Sequence, residues 1–262
     1  MAAPILLIGA GRMGGAMLKG WLADGLAPVI AVETNPSPAL KKLGVRVVSD
    51  IPREKVRACV IALKPQVLRN EAVRLKPIAD SGAPMISIAA GTSIATLRKA
   101  WGPRAHILRA MPNTPGAIGK GITSIFKGPN ATAEDCRLAE RLLTPLGQTF
   151  WVAREKLIDV TTAVSGSGPA YVFFMVEALA DAAEAQGMPR PEAERLARAT
   201  ITGAGALLDA DARPPEELRR DVTSPGGTTE AALKILMGAK GLKALMARAV
   251  AAANKRAGEL AS

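Results

Sequence analysis

The stretch Ile8-Gly9-Ala10-Gly11-Arg12-Met13-Gly14 joins a short apolar run to a helical pattern through closely spaced glycines. In a dinucleotide-binding unit, the first glycine of such a loop permits a tight turn and the second lets the backbone approach a pyrophosphate. The third allows the helix to pack closely on the strand. Gly9, Gly11 and Gly14 take these positions. The start of the helix adds free N–H groups and a positive dipole. A purely structural turn is the alternative.

Short apolar runs alternate with helical patterns on the C-terminal side of this loop. Strands are predicted at 4–8, 28–32, 45–48, 58–63, 85–89, 106–108, 122–126 and 149–152. Helices are predicted at 13–23, 66–79, 93–101 and 133–143. Such alternation favours parallel strands joined by right-handed crossovers. We therefore predict an α/β fold, with a Rossmann-like doubly wound parallel sheet in a domain covering 1–158.

The remaining 159–262 are predicted to form an all-α domain. Its first helix, at 171–185, is apolar on most sides and must be buried against another surface. Further helices are expected at 191–210, from 215, at 228–237 and at 242–257. A domain of about 100 residues can scarcely cover the first helix alone. We therefore expect a homodimer or a higher assembly of dimers.

Composition argues against several classes of protein. The formal charge is +11, but the basic residues are scattered and aromatic residues make up only 3% of the 262 residues, so no nucleic-acid partner is expected. Cys59 and Cys136 lack CxxC spacing, and His106 is the only histidine, so neither a disulfide framework nor a metal site is expected. No signal peptide or apolar run of ~20 residues is evident, which predicts a cytoplasmic protein without a membrane partner.

The end of the second predicted strand bears on the choice between NADH and NADPH. Glu33 lies 19 residues after Gly14, where an acid usually holds the ribose hydroxyls and repels a 2′-phosphate. Nearby side chains that could instead bind a phosphate are Thr34, Asn35, Ser37, Lys41 and Lys42. The choice therefore stays open, and Glu33 could also point into solvent.

Three loops at predicted strand ends, 62–65, 89–92 and 111–115, are candidates to line the nicotinamide. Ligands of open α/β sheets lie beyond the carboxyl ends of the strands. The alternative is that their prolines only shape turns. The full set of predicted cofactor-binding residues is Gly9, Gly11, Arg12, Met13, Gly14, Glu33, Thr34, Asn35, Ala62, Leu63, Lys64, Pro65, Ala89, Ala90, Gly91, Met111, Pro112 and Asn113.

Two further turns lie in the second half of the chain. Ser165 or Ser167 could cap the apolar helix, with Pro169 in its first turn. The stretch Ser224-Pro225-Gly226-Gly227-Thr228-Thr229 places bare backbone N–H groups and two hydroxyls at a helix start, which suits a carboxylate. A capped turn without a ligand is the alternative for each.

Taken in order, six motifs resemble the pyrroline-5-carboxylate reductase family. They are Gly9-Ala10-Gly11-Arg12-Met13-Gly14, Leu63-Lys64-Pro65, Ser87-Ile88-Ala89-Ala90-Gly91, Arg109-Ala110-Met111-Pro112-Asn113-Thr114-Pro115, Ser165-Gly166-Ser167-Gly168-Pro169-Ala170-Tyr171 and Ser224-Pro225-Gly226-Gly227-Thr228-Thr229. The resemblance implies an NADPH- or NADH-binding N-terminal domain and a dimerising helical C-terminal domain. The chain departs from it at Glu33, where many members have Ser or Thr.

The implied reaction is hydride transfer to a cyclic imine, giving L-proline. By the resemblance, Thr229 is the catalytic hydroxyl nearest the ring nitrogen, and the amides of Gly227 and Thr228 hold the carboxylate. The implied substrate-binding residues are Ser224, Gly226, Gly227, Thr228, Thr229 and Ser167. One alternative, a β-hydroxyacid dehydrogenase, needs a lysine or histidine base, and 165–187 contain neither. The other, a dinucleotide-sensing or nucleic-acid-binding protein, leaves both turns unexplained.

Overall fold

A computed structural model describes residues 3–261 of the chain, which divide into two compact units. The first unit comprises 3–167 and 253–261, and the second comprises 168–252. The division therefore falls later than the sequence-based boundary at 158. The helix Leu157–Thr161 explains the difference, because it still packs against the sixth and seventh strands of the sheet.

The first unit contains a mostly parallel sheet of eight strands. They are β1 (Ile5–Ile8), β2 (Val29–Val32), β3 (Arg46–Val48), β4 (Ala58–Ile61), β5 (Met85–Ser87), β6 (Ile107–Met111), β7 (Gly121–Lys127) and β8 (Gly147–Trp151). Their order is β3-β2-β1-β4-β5-β6-β7-β8. The strands from β1 to β6 pair in parallel, which confirms the Rossmann-like fold.

Strand β7 departs from the parallel pattern, because it pairs antiparallel with β6. Only residues 112–120 connect the two strands, and a parallel crossover needs a dozen or more residues. Strand β8 then pairs in parallel with β7.

Helices cover both faces of the sheet. In the first unit they are α1 (Arg12–Ala23), α2 (Pro38–Lys41), α3 (Pro65–Glu71), α4 (Lys76–Asp80), α5 (Ile94–Trp101), α6 (Ala133–Leu143) and α7 (Leu157–Thr161). The helix predicted at 66–79 is broken into α3, a 3-10 turn and α4. The break precedes Pro77, which cannot donate the backbone hydrogen bond of a helix interior.

Strand β1 shows how the two faces are filled. Ile5 and Leu7 belong to a core cluster with Trp21 of α1, whereas Leu6 and Ile8 belong to the opposite cluster with α3 and α5. All four side chains are buried, as expected for a central strand covered on both sides.

The second unit is all-helical, as predicted. It contains α8 (Gly168–Ala185), α9 (Arg190–Ala210), α10 (Pro215–Asp221), α11 (Thr228–Leu236) and the first part of α12 (Leu242–Ala261). Its buried core is a small cluster of Ala180, Ala193 and Ala197 between α8 and α9. Large apolar side chains stay outside this cluster, and Phe173 and Phe174 are 62% and 67% exposed.

The apolar helix does not begin at a serine cap, contrary to the prediction. Helix α7 continues through a π-helical turn, Thr162–Gly166, into α8, which gives one helix over Leu157–Ala185. The Ser165 hydroxyl donates to the carbonyl oxygen of Thr161 at 2.9 Å instead of capping a helix start. In a regular α-helix the ring of Pro169 would clash with the Ser165 carbonyl, and the wider π turn accommodates it.

The sequence analysis found no apolar run of ~20 residues, and this continuous helix differs from that expectation. By length and composition alone, Leu157–Ala185 is long and apolar enough to cross a bilayer. The sequence-based prediction missed this length because it had the apolar helix begin after the serine-glycine turn, at 171.

A buried ion cluster joins three segments of the first unit. The Arg109 side chain, only 3% exposed on β6, donates to Glu155 Oε1 at 3.0 Å and to Asp159 Oδ1 at 3.3 Å. Glu155 Oε1 also accepts the backbone N–H of Ile94, the first residue of α5, at 2.7 Å. One carboxylate oxygen thus ties the middle of β6 and the start of α5 to the segment that leads into α7.

We predict that Arg109→Leu lowers the free energy of unfolding by about 3–5 kcal/mol, because it leaves two partly buried carboxylates without their counter-charge. Arg46→Leu is the matched control, since Arg46 pairs with Glu54 on the surface and its loss should cost about 1 kcal/mol or less. Urea unfolding at one protein concentration measures both variants. Equal losses would contradict a special contribution from the buried cluster.

Candidate active site

The parallel sheet brings the predicted cofactor loops to one edge. Gly9 follows β1, Glu33 follows β2, Ala62 follows β4, Ala89 follows β5 and Pro112 follows β6. Because these strands are parallel neighbours, their carboxyl ends share that edge. The chain order reverses at β1, which lies between β2 and β4. Ligands of doubly wound sheets bind at this switch point.

The glycine loop has the geometry that a dinucleotide diphosphate requires. Gly9 has φ +88°, a conformation that L side chains rarely adopt. A Cβ atom on Gly14 would lie 2.1 Å from the carbonyl oxygen of Gly9, so only glycine permits this approach of α1 to the loop. A Cβ on Gly11 would meet no protein atom within 4 Å. Gly11 is also the N-cap of α1 and has no side-chain cap, so the helix start is open to an anion.

Glu33 is fixed against this loop. Its Oε2 accepts the backbone N–H of Ala10 at 3.0 Å, and its Oε1 accepts the backbone N–H of Asn35 at 3.2 Å. Of the alternatives left open by the sequence, the structure thus disfavours a carboxylate that points freely into solvent. Glu33 lines a cavity of about 270 Å³ together with three other predicted residues, Gly9, Thr34 and Leu63.

The cavity also contains charged residues that the sequence analysis missed. Asp50, Glu71 and Arg74 line its wall. Arg74 Nη2 lies 2.5 Å from Asp50 Oδ1, and the Arg74 guanidinium also pairs with Glu71. Its hydrogen bond to Glu71 and the nearby charge of Asp50 raise the pKa of Arg74. Asp50 lies two residues after the third predicted strand, and that position is a signal by which it could have been found.

The other predicted loops are held by local structure. Lys64 is the N-cap of α3 and Pro65 is its first residue. The Asn113 side-chain Oδ1 accepts the N–H of Ile122 at 2.9 Å, which closes the loop between β6 and β7. Gly91 has φ +62°, and a Cβ there would lie 3.0 Å from Leu260 Cβ. Close packing against α12 is therefore enough to account for a glycine at position 91.

The buried cluster was also missed, although the sequence contains a signal for it. Arg109 is the one charged residue within the apolar run Ile107–Met111. A charge inside a buried strand requires a partner. What the sequence did not indicate is that its partners, Glu155 and Asp159, lie more than forty residues further along the chain.

In the second unit, two backbone N–H groups of the turn before α11 already form hydrogen bonds within the protein. Gly226 has φ +71°, and its N–H donates to Glu230 Oε2 at 2.8 Å. The Gly227 N–H donates to the Ser224 carbonyl oxygen at 3.0 Å. The expectation that the Gly227 amide holds a carboxylate is therefore not supported, because a turn bond already engages it.

Two amides of this turn stay available. Within residues 3–261, the N–H groups of Thr228 and Thr229, in the first turn of α11, donate to no other backbone or side-chain group. Such first-turn donors with two neighbouring hydroxyls match the needs of a small carboxylate. No group of three or more potential metal-ligating side chains occurs among the residues that the structure describes.

Comparisons with known proteins identify the family of the chain. Residues 155–260 match the family described as pyrroline-5-carboxylate reductase dimerisation. The pyrroline-5-carboxylate reductase of Pisum sativum is 37% identical over 261 residues, covering 97% of this chain and 94% of the relative. That of Pseudomonas aeruginosa is 36% identical, covering 98% and 96%.

Solved structures give the same result. A pyrroline-5-carboxylate reductase from Coxiella burnetii superposes with a TM-score of 0.91 at 33% identity and covers 100% of both chains. A Plasmodium falciparum pyrroline carboxylate reductase with NADP bound has a TM-score of 0.83 at 26% identity, covering 99% of this chain and 98% of that chain. Because full-length relatives exceed 30% identity, the chain belongs to the pyrroline-5-carboxylate reductase family.

Proposed function

We propose that the turn Ser224–Thr229 binds the substrate of this enzyme and that the loop Gly9–Gly14 binds the diphosphate of its cofactor. The protein is an NAD(P)H-dependent oxidoreductase that reduces 1-pyrroline-5-carboxylate to L-proline, the last step of proline biosynthesis. The observation that supports the substrate site best is the pair of free amides and hydroxyls of Thr228 and Thr229 at the start of α11.

Within this site, the amides of Thr228 and Thr229 hold the substrate carboxylate, because each is a free donor at a helix N-terminus. Ser224 and Gly226 shape the turn, and the Ser167 hydroxyl is a further candidate contact. The substrate imine reacts in its protonated form, so its N–H donates to the Thr229 hydroxyl oxygen, which orients the ring, and hydride addition to carbon then gives the amine without a further proton. A threonine hydroxyl is too weakly acidic to be a fast proton source near neutral pH, so positioning is its first role and proton relay its second.

The bound nicotinamide supplies the hydride, and the protein supplies orientation and electrostatics. We assign cofactor binding to the loops at the sheet edge, with the diphosphate at Gly11 and the start of α1. Gly9 and Gly14 keep the loop in shape, and Glu33 lies beside it. The loops that begin at Ala62, Ala89 and Met111 are assigned to the nicotinamide side. The functional division we propose is 1–158 for cofactor binding and 159–262 for dimerisation and substrate binding.

The second unit belongs to a homo-oligomer, in line with the dimerisation family that residues 155–260 match. We propose that the smallest assembly is a homodimer in which the apolar face of α8 is buried by the second copy. This accounts for Phe173 and Phe174, which are exposed in the single chain. Burial between subunits also accounts for the apolar length of Leu157–Ala185 without a membrane.

A cytoplasmic location fits the cysteines, and we propose it. Cys59 and Cys136 are free, and burial raises the pKa of the Cys59 thiol, which makes it unreactive. Nucleic acid is not proposed as a partner, because the scattered basic residues form no run that would follow a phosphate backbone.

The activity test combines the purified protein with pyrroline-5-carboxylate and each reduced cofactor, followed by the nicotinamide absorbance. We expect oxidation of NADH, NADPH or both. Thr229→Val should lower turnover by about a hundredfold while cofactor affinity is unchanged, because the hydroxyl is lost and the volume is kept. Thr229→Ser should retain most turnover. No oxidation of either cofactor would overturn the function, and full turnover in Thr229→Val would remove Thr229 from its role.

The two loop glycines should separate stability from cofactor binding. Gly11→Ala places a methyl group in open space, so we expect a change in unfolding free energy within about 1 kcal/mol but at least tenfold weaker cofactor binding. Gly14→Ala forces a methyl group onto the Gly9 carbonyl and should cost about 1–3 kcal/mol of stability as well. Chemical unfolding and nicotinamide fluorescence measure the two effects. Undiminished cofactor binding by Gly11→Ala would place the diphosphate elsewhere.

The proposed homodimer interface is tested by introducing a charged side chain on the exposed apolar face of α8. Phe174→Glu should convert the assembly to smaller species in sedimentation velocity at micromolar concentration, because a buried unpaired carboxylate opposes association. Val73→Glu is the matched control, since Val73 is a similarly exposed apolar residue of the first unit, at 65%. A monomeric wild-type protein, or an unchanged assembly in Phe174→Glu, would count against this interface.

A further inference from the structure

We propose that this enzyme selects NADH over NADPH and that Glu33 sets the preference. The proposal rests on the cofactor site proposed above, and it concerns one step that the family assignment leaves open. Three observations support it: the fixed position of the Glu33 carboxylate, the acidic wall of the neighbouring cavity, and the commitment of the nearby basic group to other partners.

The Glu33 carboxylate is held where the adenosine ribose of a dinucleotide is recognised. It lies at the end of β2, beside the glycine loop, with one backbone donor on each oxygen. A carboxylate oxygen accepts up to two hydrogen bonds, so each oxygen keeps one site free. Two ribose hydroxyls, as in NADH, are matching donors. A 2′-phosphate is itself an anion and an acceptor, so it gains no such bond and is repelled.

The wall of the cavity strengthens this repulsion. Besides Glu33, its lining includes Asp50 and Glu71, and Arg74 is the one basic residue among them. Arg74 is paired with both Asp50 and Glu71. The lining therefore contains three carboxylates and one guanidinium, which is paired with two of them, so the wall keeps a negative excess.

Of the side chains that could favour a phosphate, Thr34 lines this cavity, and it is uncharged. The Ser37 hydroxyl accepts the N–H of Leu40 at 3.2 Å as the N-cap of α2. The N–H of Asn35 donates to Glu33 rather than facing a ligand. Lys41 and Lys42, at the end of α2, do not belong to the lining of the cavity. The basic residues that kept NADPH open in the sequence therefore do not offset Glu33.

The test measures both binding and turnover. Dissociation constants for NADH and NADPH come from nicotinamide fluorescence, and kcat/KM for each comes from the reductase assay. The wild-type protein should favour NADH by at least about tenfold in both measurements. Glu33→Gln removes the charge and keeps an oxygen for the Ala10 N–H, and Glu33→Ser removes the whole group. Both should lower the ratio by about tenfold or more.

Glu134→Gln is the matched control. Glu134 is an exposed acid in the first turn of α6, outside the cavity lining, so its loss changes the net charge equally. The ratio should stay at its wild-type value. Thermal unfolding of each variant shows whether the loop stays folded.

The possible outcomes separate this proposal from the proposed function. Turnover with NADPH equal to or better than with NADH would overturn the NADH preference and leave the reductase assignment intact. An unchanged binding ratio in Glu33→Gln and Glu33→Ser would remove Glu33 as its cause. If the protein bound NADH selectively but oxidised neither cofactor with pyrroline-5-carboxylate, the substrate assignment would fail and the cofactor preference would stand.

Discussion

The approach of Gly14 to the carbonyl oxygen of Gly9 is the constraint on which the cofactor site depends. It sets how closely α1 lies on the sheet, and so it sets where the open start of α1 meets the carboxyl ends of the strands. Glu33 completes this arrangement, because its carboxylate accepts the Ala10 N–H within the same loop. The residue that we propose discriminates between the cofactors is thus hydrogen-bonded to the loop that we propose binds the diphosphate, so the shape of that loop and the proposed selectivity depend on each other.

A second constraint acts near β6 and the start of α5. Glu155 Oε1 accepts hydrogen bonds from the Arg109 guanidinium of β6 and from the first N–H of α5. Asp159 accepts a second hydrogen bond from Arg109. The loops assigned to the nicotinamide precede α5 and follow β6. A shared acceptor therefore fixes the bases of two loops relative to the helix that leads into the second unit. Buried charges with several partners resist displacement, since breaking one contact leaves the others without counter-charge.

Much of this fold could be predicted from the sequence, because strand and helix periodicity and the glycine spacing are local signals. The predictions that were wrong concern features that depend on tertiary contacts. The serine-glycine segment before α8 has the residues of a helix cap, but a π turn lets the helix pass through Pro169. The Gly227 amide donates to the Ser224 carbonyl, a bond that depends on the backbone conformation of the turn and has no signal in the sequence. Glu155 could not be recognised as the partner of Arg109 from the sequence, because the two residues are 46 positions apart.

Net charge and site charge have opposite signs in this protein, and the range of electrostatic interactions explains why both matter. The chain carries 34 basic and 23 acidic residues, which favours the approach of anionic small molecules in general. At physiological ionic strength, charges separated by more than about 8 Å are largely screened. The choice between two cofactors that differ by one phosphate is therefore made by the groups that line the cavity. There, three carboxylates outnumber one arginine that is paired with two of them, which is why we propose that a basic protein can still reject the more negative cofactor.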